Sequence, residues 1–377
     1  MVRALRLQGI NAEVVTTNDD GDRLLNVPLQ QWVKHDGVPV QFFDRFSPNL
    51  PSIREFAFSS SLTTWLWNSA QQYDLLHIHA IFSYPSTIAM MIARLRQVPY
   101  IVRPLGQLCQ WSLQQGQQKK QVYLNLIERA NLQGSEALHF TSVQEQQEAR
   151  QLGLSAASFI APHGLAVPDR ISDARQQLRQ QLNLPDHQPI ILFLSRLHPK
   201  KGLDYLIPAL SACQDLPFTF VLAGEGSPSY EATLKQQIQA AGLADRTVQV
   251  GFVSGEFKQL LLQGCDLFAL TSHSENFGLA VLEALAAGLP VLITPDVALA
   301  DLVEQERLGW IVPPDPEAIA KQIRQVLQSP LTAQTIGVHA QTVVRDRYSW
   351  HAIASLLIHH YQSILSKTDY LNLVSAE

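Results

Sequence analysis

Short runs of apolar and β-branched residues alternate along most of the chain with segments whose apolar positions recur every three or four residues. That rhythm predicts parallel strands covered by helices. Strands are predicted at 13–17, 38–42, 75–79, 100–102, 137–141 and 158–161, and again at 190–195, 219–223, 248–251, 267–271, 291–294 and 310–312. Two such sets predict two doubly wound α/β domains. The turn-rich stretch PHGLAVP at 162–168 marks the seam, giving domains 1–165 and 166–348. A tail, 349–377, contains an amphipathic helical pattern at 350–365. Asp315, followed by Pro316 and Glu317, is a predicted N-cap, and Gly288 with Pro290 ends the helix before it.

Composition narrows the classes. Of 377 residues 46% are apolar and 16% charged, which supplies a large core and excludes disorder. A net charge of -5 excludes a general nucleic-acid surface, though not a local basic cleft. Cys109, Cys213 and Cys265 form no CxxC pair, so neither a zinc knuckle nor a disulfide framework is expected, and a reducing cytoplasm fits. The most apolar stretch, 279–293, is interrupted by Glu283 and Pro290, and MVRALRLQG has no apolar run of signal-peptide type behind its arginines.

Candidate chemistry concentrates in the second half. The segment SENFGLAVLE, 274–283, follows a predicted strand and opens a helix. Ligands bind at the carboxyl ends of parallel strands. The amides of Phe277, Gly278 and Leu279 would be donors aimed at an anion, and Gly278 lets a phosphate approach the backbone. Glu283 stands among apolar neighbours and needs a partner, either a ribose diol or a nearby amide or arginine. Glu275 reads as a grip on sugar hydroxyls or as an acid favoured by the helix dipole. SRLHPKKG, 195–202, places Arg196 and Lys201 at the same carboxyl edge, where a fork and a point charge suit a diphosphate; a solvated basic loop is the alternative. Gly224, in GEG at 224–226, adds a glycine turn at that edge.

Glu-x7-Glu at Glu275 and Glu283 with Asn-Phe-Gly between, together with SRLHPKKG against the pattern GRLxxxKG, resembles glycosyltransferase family 4 over most of the chain. The resemblance implies the GT-B architecture, two Rossmann-like domains facing across a cleft, and transfer of a sugar from a nucleotide-sugar donor with retention at the anomeric carbon. It implies that Glu283 holds the donor ribose and Glu275 the sugar. Arg196 and Lys201 would hold the diphosphate. The backbone of Asn276, Phe277, Gly278 and Leu279 would meet sugar and phosphate, and Gly251, Phe252 and Val253 the base. The final helix would cross back to the first domain. No metal or other cofactor is implied. The acceptor would be a sugar, glycan or lipid-linked molecule, the last allowing peripheral contact with a membrane. Two other functions on the same architecture stay open, a non-catalytic nucleotide-sugar binder and a nucleotide-sugar epimerase.

In the first half, DLLHIH at 74–79 puts His77 and His79 on one strand face, with His79 nearer the cleft. A structural histidine is one reading; the resemblance implies a contact from His79 to the transferred sugar. Arg103-Pro104-Leu105-Gly106, with Trp111, Lys119 and Lys120 downstream, matches a place where the family carries Pro-His-Gly, so Leu105 replaces the histidine. Arg103 and Gly106 are the candidate acceptor-side residues, and Arg103 with the lysines forms either a site for an anionic acceptor or a solvated basic helix start. The family's first strand and glycine-rich loop are missing: 2–8 reads as the end of the first helix, closed by Gly9. The strands beside the absent one are then expected to lack partners, and a natural product longer at its start is expected. Asp20-Gly21-Asp22 has the spacing of a metal motif but reads as a turn.

Overall fold

The computed structural model describes residues 1–48, 54, 56–114, 117–185 and 187–366. It divides into two compact units. Unit 1 is Met1–Gly164 with the segment from Trp350 onward, and unit 2 is Leu165–Ser349.

Unit 1 begins with a helix, Val2–Leu7. Strand β1 (Val14–Thr17) follows, then a two-residue-stranded hairpin, β2 (Asp19–Asp20) and β3 (Arg23–Leu24), and then β4 (Trp32–His35) and β5 (Val38–Phe43). Asp20-Gly21-Asp22 is therefore a hairpin turn, as its composition suggested; Asp22 pairs with Arg54 at 2.9 Å. Farther on come β6 (Leu76–His79), β7 (Tyr100–Arg103), β8 (Ala137–Phe140) and β9 (Ser158–Ile160), each joined to the next through helical segments.

These strands do not form one continuous sheet, in line with the expectation that the neighbours of the absent first strand lack partners. They form a three-stranded sheet in the order β1-β5-β4 and a parallel four-stranded sheet β6-β7-β8-β9. β1 and β6 are edges, and among the described residues no strand joins them. Side chains from both sheets nevertheless share a core: Phe43 and Val15 pack with Ile78, Leu62 and Leu66. β4 was not predicted. It pairs antiparallel with β5 and leaves Trp32, Lys34 and His35 exposed, so it carries almost no apolar signal. A second small core joins the first helix to the last: Ala4 and Leu5 meet Ile353, Ala354 and Leu357 over Ile101 and Phe159. Gly164 has room for no side chain, since a Cβ there would lie 2.6 Å from the Trp350 ring.

Unit 2 is simpler. β10 (Ile190–Leu194), β11 (Thr219–Ala223), β12 (Thr247–Gly251), β13 (Leu267–Leu270), β14 (Val291–Ile293) and β15 (Gly309–Ile311) form one sheet in the order β12-β11-β10-β13-β14-β15. Every pairing is parallel. β10, β11, β13 and β14 are buried along their whole length because helices cover both faces. The strand order reverses between β10 and β13, the switch point at which such sheets open a crevice. The predicted caps hold: Asp315 accepts from Ala318 N at 2.8 Å, and Gly288 takes the left-handed conformation after the helix Leu279–Ala286. Among the described residues no helix is long and apolar enough to cross a membrane.

Candidate functional site

At the carboxyl edge of the unit 2 sheet, two glycines let three loops close on one another. Gly202 has φ +73°, and a Cβ there would stand 1.7 Å from the Thr271 carbonyl oxygen. Gly224 has φ +137°, and its Cβ would stand 1.9 Å from the Ser195 carbonyl oxygen. Side chains stitch the same approach. Thr271 Oγ1 donates to the Gly202 carbonyl at 2.7 Å, Ser272 Oγ to the Lys200 carbonyl at 2.8 Å, and Leu197 N to the Glu225 carbonyl at 2.8 Å. The Glu275 loop is fixed in turn to the segment after β14, with Glu275 N donating to Asp296 O at 2.9 Å and Ala298 N to Glu275 O at 3.0 Å.

This stitching brings Lys201 and Glu275 together. The Lys201 ammonium forms a short ion pair with the Glu275 carboxylate, their side chains 13% and 18% exposed. Glu283 pairs with Lys258 Nζ at 2.7 Å. Lys258, on the helix Gly255–Gly264, was missed by sequence reasoning; the pair bridges 25 residues and depends on two helices packing. Arg196 is exposed, and among the described residues its guanidinium has no hydrogen-bond or ion-pair partner. The helix Leu279–Ala286 begins on Gly278 at φ +88° with no side chain capping its first turn, and Leu279 at its mouth is 45% exposed. Phe277 is buried and anchors the loop from below. On the other side of β10 and β11, Gly224 N donates to the Gly251 carbonyl at 2.7 Å, Phe252 stands 70% exposed and Val253 is buried. The edge thus offers an uncapped helix start, an unpaired arginine and two carboxylate–ammonium pairs, a set able to receive an anion together with hydroxyl groups.

In unit 1 the strands β6 and β8 and the segment after β9 bring histidines together near Arg103 of β7. His139 Nε2 faces the Ala161 carbonyl at 2.7 Å, which only accepts, so that nitrogen carries the proton. His139 Nδ1 therefore accepts from His77 Nε2 at 3.1 Å, and His77 Nδ1 accepts from the Tyr361 hydroxyl at 2.6 Å. Burial holds both imidazoles well below their ordinary range, and neighbouring histidines and Arg103 add to it. His79 packs on His77 with ring centroids 4.6 Å apart. Burial first, then the charge of Arg103, pushes His79 down to about 3 and His163 down to about 4. Arg103 is buried and donates from Nη2 to His163 Nδ1 at 3.1 Å. Gly106 does not offer its amide to a ligand: Gly106 N donates to Glu145 Oε1 at 2.5 Å. Lys120 Nζ donates to the Ser112 carbonyl at 2.7 Å. Among the described residues no cluster of acidic, histidine or cysteine side chains has the arrangement of a metal site.

A parallel sheet with a switch point, a glycine-cradled edge and an uncapped helix start belongs to the doubly wound class of α/β proteins. Comparison with known proteins makes this more particular. Residues 174–343 match the family described as glycosyl transferases group 1, and residues 1–163 the glycosyl transferase 4-like domain. The chain belongs to the group 1, family 4 type glycosyltransferases. It is 32% identical over 187 residues to the uncharacterized glycosyltransferase MJ1607 of Methanocaldococcus jannaschii, a match covering 49% of this chain and 47% of the relative. The chain thus spans about half the length of that curated relative. Sucrose-phosphate synthase from Thermosynechococcus elongatus has a similar fold, with TM-score 0.77 at 23% identity, covering 97% of this chain and 92% of that one. So does Anabaena Alr3699/HepE in complex with UDP and glucose, with TM-score 0.71, 24% identity and 87% of each chain covered. The fold is GT-B.

Proposed function

We propose that the protein transfers a sugar from a nucleoside diphosphate sugar to an acceptor hydroxyl, with retention at the anomeric carbon. The observation that carries this reading is the convergence of Lys201, Glu275 and the open start of Leu279–Ala286 at one carboxyl edge. Arg196 and Lys201 then hold the diphosphate and offset the charge that grows as it leaves. The helix start and the Asn276–Leu279 backbone meet phosphate and sugar. Glu275 turns from Lys201 to the sugar hydroxyls, and Glu283, oriented by Lys258, takes the ribose diol. The turn around Gly251, with Phe252 beside it, receives the base. His79 contacts the transferred sugar.

In this scheme the acceptor oxygen bonds to the anomeric carbon on the face the diphosphate leaves. The bond from that carbon to the phosphate oxygen breaks, and the hydroxyl proton passes to the departing phosphate. No divalent cation has a part in the scheme; transfer that is lost in a chelator and restored by metal would sink that element of it. A donor of uridine type is supported by the Anabaena neighbour, solved with UDP and glucose.

The test is a thermal-shift and calorimetric screen of nucleotide-sugars, followed by the anomeric configuration of any product by NMR. A saturating donor stabilises the folded state through its binding free energy. Absence of stabilisation by every nucleotide-sugar overturns the reading. Binding without transfer or hydrolysis moves the protein to a non-catalytic binder, and inversion of a sugar centre in the donor without acceptor moves it to an epimerase.

A further inference from the structure

We propose that unit 1 carries a binding subsite for an oxyanion, built on Arg103 with His163 and His79, and that the acceptor presents a phosphate or carboxylate to it. Calling the ligand an acceptor rests on the transferase reading above; the subsite itself does not.

Among the described residues three arginines are buried: Arg45, Arg103 and Arg179. Arg45 makes a short ion pair with Asp19, and Arg179 lies 3.5 Å from an Asp266 carboxylate oxygen. Arg103 alone of the three has no carboxylate at ion-pair distance among the described residues, although it is 4% exposed. Its Nη2 donates to His163, and its Nε is buried with no hydrogen-bond partner. A buried guanidinium with unmatched donors is costly, and the cost is relieved by an acceptor that supplies charge and lone pairs together.

Glu145 is the acid within electrostatic range, and its charge opposes the effect of burial on Arg103. It does not satisfy the fork: no oxygen of it lies at ion-pair distance from Arg103, and it accepts instead from Gly106 N, Thr141 N at 2.8 Å and Thr141 Oγ1 at 2.7 Å. Besides Glu145, the groups in electrostatic range of Arg103 include the imidazoles of His79 and His163, the Tyr361 hydroxyl and the Met1 amine. His163 Nδ1 accepts from Arg103, so its proton sits on Nε2, a donor, and the partly exposed His79 lies in the same field. An oxyanion here would meet the guanidinium beside the His79 and His163 rings, and would oppose the depression that burial and Arg103 impose on them.

A second observation comes from the backbone. Ala80 at φ +64°, Phe82 at φ +59° and Leu105 at φ +55° are non-glycine residues in the left-handed region, immediately after β6 and β7. Such conformations persist only where the surroundings impose them, and they gather at ligand-binding loops. Here Gln107 Oε1 accepts from Ile81 N at 2.5 Å, Glu128 Oε1 accepts from Phe82 N at 3.2 Å, and Ala80 N donates to the Arg103 carbonyl at 2.9 Å. The fold therefore holds both loops in strained positions beside the unmatched cation.

The experiment uses the full chain with isotope-labelled histidine, followed by NMR while inorganic phosphate, glucose 6-phosphate or glucose is added. Phosphate and glucose 6-phosphate are expected to shift the His79 and His163 ring signals, and glucose 6-phosphate is expected to bind at least tenfold more tightly than glucose. Arg103→Gln is expected to weaken phosphate binding at least tenfold, and Arg103→Lys to weaken it less. Equal binding of glucose and glucose 6-phosphate, or unchanged phosphate affinity in folded Arg103→Gln, overturns the subsite. If Arg103→Gln does not fold, His163→Gln carries the test, with at least threefold weaker phosphate binding expected and unchanged affinity overturning it. A panel of nucleoside diphosphates is run beside it on unit 2 signals. A phosphate response without nucleotide binding supports the subsite and removes the transferase reading; nucleotide binding without a phosphate response does the reverse.

Discussion

Unit 2 and unit 1 are built from the same alternation of strand and helix, yet they solve burial differently. Unit 2 wraps one uninterrupted parallel sheet in helices and gathers its apolar residues into a single core running from Leu165 to Val344. Unit 1 divides its strands among two larger sheets and a hairpin and its apolar residues between two cores, and the space between helices and sheet is partly filled by imidazoles, a guanidinium and buried carboxylates such as Glu128 and Glu145. The difference shows where each unit spends its stability. In unit 2 the hydrophobic frame is complete and the chemistry sits on its rim. In unit 1 polar groups are part of the frame, so its stability depends on their protonation and on ligands that match them.

Acid is the strongest test of that contrast. His79 and His163 are pushed down to about 3 and about 4, His360 by burial to about 4, and His77 and His139 lower still in direction. Their unfolded values lie near 6.5. Between about pH 6.5 and pH 4 the unfolded chain therefore binds more protons than the folded one, and stability falls as pH falls. Across that window the histidines are expected to destabilise unit 1 by several kcal/mol. Among the described residues unit 2 buries no histidine. Trp310 is the single tryptophan of unit 2 among the six in the sequence, so tryptophan fluorescence in a Trp310→Phe background reports unit 1. That signal should change at higher pH than amide exchange in β10, β11 and β13; simultaneous loss would break the comparison.

Next in size is Gly202→Ala. The added Cβ meets backbone, not a movable side chain, and the residue keeps a left-handed φ. A loss of about 3 kcal/mol is expected in urea unfolding followed at unit 2, together with loss of nucleotide binding. Unchanged stability would mean that the rim is not rigidly held. Glu283→Gln sharpens the division between frame and rim: it is expected to weaken donor binding about tenfold while changing stability by no more than about 1 kcal/mol, since the pair with Lys258 is partly exposed. Calorimetry and thermal melting of the same sample separate the two effects. The smallest effect is Asp315→Ala, which removes the cap over Ala318 N and should cost unit 2 about 1 kcal/mol with donor affinity intact.

The same contrast governs what could be read from the sequence. IILFL at β10 and TFVLA at β11 are apolar throughout and announce themselves as buried strands. All twelve expected strands occur, within a residue or so at each end. The edge strand β4 escaped because Lys34 and His35 point to solvent and only Val33 is partly covered. The separation of β1 from β6 was legible in the helical reading of 2–8, which leaves no first strand to stand between them. At the rim, the types of residue were legible from spacing, and their partners were not. Lys258 meets Glu283, and Arg103 meets His163 across 60 residues, only after helices and loops have packed. The Gly202 and Gly224 turns were visible as glycines, but their reason, a carbonyl oxygen of another loop in the place of a side chain, belongs to tertiary structure alone.

The relay from Tyr361 through His77 and His139 ends on the Ala161 carbonyl, and that end makes it a gauge. A carbonyl imposes one tautomer on each ring, so the nitrogen resonances of His77 have a single assignment while the last helix is seated. Were Tyr361 to swing away, His77 Nδ1 would lose its donor and those resonances would move, with no other label needed to see the carboxyl-terminal helix lift from its bed.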